Sequence, residues 1–61
     1  MKDVTVFFQV VNGKFVVVYK YDRTDNTFKK LEDVFDKVDE MVRWYSDDRS
    51  GGKRVDFVLI N

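Results

Sequence analysis

The chain has 61 residues, with eleven basic and eleven acidic side chains that cancel, and it contains neither cysteine nor histidine. That length allows one domain, residues 1–61, near the lower limit for folding alone. Disulfide staples and imidazole- or thiolate-based metal sites are excluded, which leaves dense packing or self-association to make up for a small core.

Absence of cysteine fits a reducing compartment, and the cytoplasm is the expected location. The N-terminus does not read as a signal peptide, because Asp3 interrupts the basic region and Gln9 and Asn12-Gly13-Lys14 break the apolar run. No stretch approaches the roughly 18 apolar residues of a membrane span. Balanced charge argues against the strong positive field of a nucleic-acid binder, although the distribution is uneven. Residues 31–48 are acidic and both flanks are basic.

The first element is a β-hairpin. Asn12-Gly13 lies between two apolar runs, and both residues tolerate the positive φ of a two-residue type I′ turn. Regular pairing from that turn sets Val11 opposite Lys14, Val10 opposite Phe15, Phe8 opposite Val17, Val6 opposite Tyr19 and Val4 opposite Tyr21. Alternation then gives one face Val4, Val6, Phe8, Val10, Phe15, Val17, Tyr19 and Tyr21, with no charge. The other face receives Thr5, Phe7, Gln9, Val11, Lys14, Val16, Val18 and Lys20.

Tyr21 to Thr27 is turn chemistry. Leu31, Val34, Phe35, Val38, Met41, Val42 and Tyr45 follow at spacings of three and four, the stripe of an amphipathic helix, with Phe28 leading in. That helix is expected to end near Asp47, released by Ser50-Gly51-Gly52. Val55 to Ile60 reads as a third strand, with Val55, Phe57 and Leu59 on the covered face and Asp56, Val58 and Ile60 on the other.

The expected fold is therefore α+β, a ββαβ unit with a three-stranded, mainly antiparallel sheet and one helix on one face. The third strand is expected antiparallel to the first. Order 2-1-3 is favoured, because Lys14 and Lys20 suit an edge strand, with 1-2-3 and a parallel pair as the alternative.

Catalysis lacks its usual groups. No histidine is present for general acid–base work, and Ser46 and Ser50 have no base to activate them. Ser50-Gly51-Gly52-Lys53 follows a helix instead of preceding one, the wrong end for phosphate. Asp22, Asp25 and Asn26 lack the calcium-loop ladder and read as turn residues. No cofactor or metal is expected.

Two surfaces remain. Glu32, Asp36, Asp39 and Glu40, with Trp44 at their flank, form an acidic face that could dock on a basic partner or merely keep the chain soluble. On the outer sheet face Phe7, Val11, Val16, Val18, Val58 and Ile60 approach the contiguous apolar patch of an interface. The expectation is a small non-catalytic protein-interaction module that binds or inhibits a protein partner of unknown identity, working as a homodimer. The alternative is single-stranded nucleic-acid binding on the outer sheet face. It is disfavoured, because regular pairing leaves Phe7 as the one central aromatic there and seven carboxylates stand behind it.

Overall fold

The computed structural model describes residues 3–46 and 54–60. Strands β1 (Val4–Val11) and β2 (Lys14–Asp22) form the hairpin, joined by Asn12 and Gly13 at φ 51° and 76°. Both central residues thus have the positive φ of the type I′ turn that Asn-Gly predicts. Near the tip the pairing follows the turn, with Val11 opposite Lys14, Val10 opposite Phe15 and Phe8 opposite Val17.

Beyond that point the register slips. Phe7 pairs with Tyr19, Val6 with Lys20, Thr5 with Tyr21 and Val4 with Asp22, so Val18 is an extra residue in a β-bulge. Tyr19 and Tyr21 therefore share the side of Phe7 and Thr5, not the covered side expected for them, and Lys20 leaves the outer side. The bulge is held by the strand alongside. The Leu31 amide donates to the Val18 carbonyl at 2.9 Å, and the Val17 amide donates to the Asp33 carbonyl at 2.8 Å.

The neighbouring strand departs most from expectation. Residues 27–35 run along β2 as two short strands, β3 (Thr27–Lys30) and β4 (Val34–Phe35), instead of leading into the helix. Asn26, at φ 57°, completes the turn that reverses the chain from β2 into β3. Asp22 and Asp25 spend their carboxylates on the same turn, accepting from Thr24 and Thr27. Helix α1 spans only Val38–Ser46, and its first carbonyl, Lys37, accepts from the Met41 amide. Helix and strand compete for residues 31–35 because Leu31 and Phe35 reach the core in either form. Residues four apart share a side of a strand as they do of a helix, and Phe and Val favour strand.

The last strand, β5 (Val55–Leu59), pairs with β1 in parallel, not antiparallel as expected. The reason is a count of reversals: β3 and β4 turn the chain once more before α1 returns it. The mixed sheet has order β3-β2-β1-β5, with β4 also on β2. β1 does lie between β2 and the C-terminal strand, but the sheet has five strands where three were expected, and its order differs accordingly. The helix stop at Ser50-Gly51-Gly52 and the end at Asp47 lie outside the described residues.

The core lies between this sheet and α1. Val6, Val17 and Met41 are fully buried, Val4 and Tyr45 nearly so, and Phe8, Phe15, Leu31, Phe35, Val55 and Phe57 pack around them. The nine described helical residues give about 13 Å of cover, roughly half the length of the hairpin strands. Val10, Leu59, Val38 and Val42 remain exposed at its margins.

Candidate binding surface

The sheet face away from α1 carries the most distinctive grouping of side chains. Phe7 of β1 stacks on Tyr19 of β2 with ring centroids 4.5 Å apart and planes 24° apart. Phe28 of β3 lies 5.5 Å from Tyr19 and 4.8 Å from Tyr21, tilted at 46° and 40°. Cross-strand pairing brings these rings together, since Tyr19 faces Phe7 on one side and Lys30 on the other, while Tyr21 faces Phe28. Four aromatics from three strands thus form one row. The Tyr21 hydroxyl donates to Asn26 Oδ1 at 2.8 Å, which ties the end of the row to its turn.

Of the outer-face residues expected from the sequence, Phe7 and Val11 of β1 lie opposite Tyr19 and Lys14 of β2, Val16 of β2 lies opposite Gln9 of β1, and Val58 lies opposite Phe7 from β5. Ile60 continues that side by alternation, its amide donating to the Phe8 carbonyl at 2.8 Å. Val18 is the bulged residue and breaks the alternation. Val34 of β4 joins the face opposite Val16. Two open depressions flank the row. One of about 780 Å³ sits over the bulge between Val16, Tyr19, Lys30, Leu31, Glu32 and Val34. The other, about 250 Å³, is lined by Tyr19, Phe28, Lys29 and Lys30.

The acidic group does not form one helical face. Asp39 and Glu40 occupy the first turn of α1, where carboxylates suit the positive end of the helix dipole. Glu32 and Asp36 precede the helix, contrary to the single helical run expected from residue 31. Asp36 is held by Lys14, whose hydrogen bond and charge lower its carboxyl below the usual 3.8. Trp44 is partly exposed on α1 with its ring 6.1 Å from Phe35, so it leans on the core edge from the helix side. It does not meet the aromatic row, which occupies the other side of the sheet.

Among the described residues Tyr45 is the strongly perturbed ionisable group, and its part is structural. Its hydroxyl donates to Asp33 Oδ2, and burial first, then that bond, raises it well above the ordinary tyrosine value. Its ring meets Phe35 edge-on at 6.0 Å, so Tyr45 clamps α1 to the β3–β4 segment. Among the described residues no group of three or more carboxylates is placed to hold a metal ion. Nor is any described helix long and apolar enough to cross a membrane.

Sequence reasoning missed Tyr19, Tyr21 and Phe28 as members of the outer face. The available signal was Thr27-Phe28-Lys29-Lys30, which alternates polar and apolar after a turn rich in Asp and Asn. Its four residues are too few to outweigh the helical periodicity that follows. The architecture is that of a small α+β domain, a mixed sheet with one helix on one face. Compared with protein-family models, characterised proteins and solved structures, the chain matches none of them.

Proposed function

We propose that this chain is a non-catalytic binding module whose contact surface is the sheet face left bare by α1. One observation carries this: the rings of Phe7, Tyr19, Tyr21 and Phe28 gather on the side without a helix. Clustered apolar groups on an open face are a feature of interaction sites more than of inert surface. The chain also has no histidine, the side chain most often used for proton transfer near pH 7, and no cysteine. A location in the cytoplasm suits a cysteine-free chain.

A contact through α1 has less behind it. Asp39 and Glu40 lie there with Trp44, whose ring leans on Phe35, but Glu32 and Asp36 stand off the helix and Asp36 is engaged by Lys14. The two surfaces can be separated by placing a photo-crosslinking residue at position 28 in one variant and at position 44 in another, in the native host. Adducts are expected from position 28. Adducts confined to position 44 would overturn the assignment to the sheet face.

A further inference from the structure

We propose that the outer sheet face is an interface between two copies of this chain, related by a twofold axis. This rests on that face being the contact surface and names what covers it. The first support is charge. Lys30 stands on the outer face opposite Tyr19, and Glu32 follows on the same side, because Leu31 between them packs against the core. Asp56, on the edge strand β5, shares that face with its β1 neighbour Thr5. Among the described residues these three have no ion-pair partner, whereas Lys14 and Asp36 hold each other. Both signs therefore stand on one face.

A face of mixed sign gives a polyanion little net attraction, and a strongly basic or acidic protein little more. It suits a partner that also carries both signs, and a second copy does. Lys30 and Glu32 are two residues apart on one side of the chain. A twofold axis crossing the chain between them sets each Lys30 against Glu32 of the other copy, and each Glu32 against its Lys30. Charges withdrawn from water by such a contact are then paired, which offsets the cost of burying them.

The second support is area. Four strands about 4.8 Å apart and about 20 Å long give a flat footprint of roughly 400 Å². Side chains standing on it raise the accessible surface toward roughly 600 Å² per partner, the lower end for stable interfaces. Its middle is apolar, with Phe7, Tyr19 and Phe28 beside Val16, Val34 and Val58. Phe28 is 69% exposed, and the hollow beside it is lined almost wholly by apolar atoms, so it takes an apolar side chain and not an anion. A chain of 61 residues also buries little of itself, which covering this face corrects.

The test is sedimentation equilibrium of the full chain from about 5 µM to about 1 mM. The apparent mass is expected to double across that range. Phe28→Ala should weaken association roughly tenfold. Lys30→Glu and Glu32→Lys, which set like charges together, should each weaken it by at least as much, and an equimolar mixture of the two should recover it. Val42→Lys, on the helix, should leave it unchanged. All four side chains are exposed, and circular dichroism checks that the variants fold. A mass that never rises, association that the charge variants leave untouched, or a mixture that stays monomeric overturns the inference. Loss of association in Val42→Lys alone does the same. If the chain stays monomeric while position 28 still gives adducts with a nucleic acid or another protein, the second copy alone is rejected. Adducts confined to position 44 reject the surface assignment as well.

Discussion

The two faces of this one sheet differ in how they dispose of apolar side chains. On the helix side Val6, Val17 and Met41 are withdrawn completely from water. On the other side four aromatic rings cover one another only in part, and Phe28 projects from the edge strand. Both sets come from the same strands, so composition does not separate them. Register does. A single extra residue at Val18 transfers Tyr19 and Tyr21 from the side α1 covers to the side it does not. The bulge thus sets which rings lie on the side that α1 leaves uncovered.

This contrast gives graded expectations. Met41→Ala, on the buried side, should cost about 2–5 kcal/mol, a large share of what a domain this small possesses. Urea unfolding followed by circular dichroism reads it, and a cost under about 1 kcal/mol would mean that the core is not where α1 meets the sheet. Gly13→Ala tests the turn from which both faces take their phase. An added Cβ meets nothing within 4 Å, so any cost is backbone strain at φ 76° and should be about 1–2 kcal/mol in the same assay.

Tyr45→Phe removes the hydrogen bond to Asp33 and should cost about 1 kcal/mol. Its pH signature has a definite sign. The hydroxyl is raised above 10.0 in the folded protein, so its contribution is complete below pH 10. Above that, the unfolded chain ionises first and the contribution declines. Stability measured in alkali should therefore fall more steeply for the parent than for Tyr45→Phe, and parallel curves would remove the clamp.

Phe28→Ala is the matching probe of the open face. It should change stability by less than about 0.5 kcal/mol, because little is buried there, while it weakens binding. A loss comparable to that of Met41→Ala would show Phe28 to be a core residue. The smallest effect belongs to the exposed Lys14–Asp36 pair. Its carboxyl is lowered below 3.8, so whatever it contributes is present above that pH and lost as pH falls through the folded value. At neutral pH and moderate salt, Asp36→Asn should leave the denaturation midpoint unchanged within error.

Short-range chemistry was legible in the residues themselves. Asn12-Gly13 specifies its turn, because both positions must take positive φ, and the turn dictates pairing for the next few residues up to Phe8 and Val17. Val55 to Leu59 announces a strand through its β-branched and aromatic content, and Met41 and Tyr45 mark the buried side of a helix by their spacing of four. Tertiary structure decided the bulge, the conversion of Leu31, Val34 and Phe35 from helix to edge strand, and the parallel sense of β5. Those outcomes rest on hydrogen bonds between residues far apart in the chain, such as Leu31 to Val18 and Val17 to Asp33, which periodicity within one segment does not encode. The aromatic row follows from them, because a side chain's face depends on the pairing of its strand and not on its own identity.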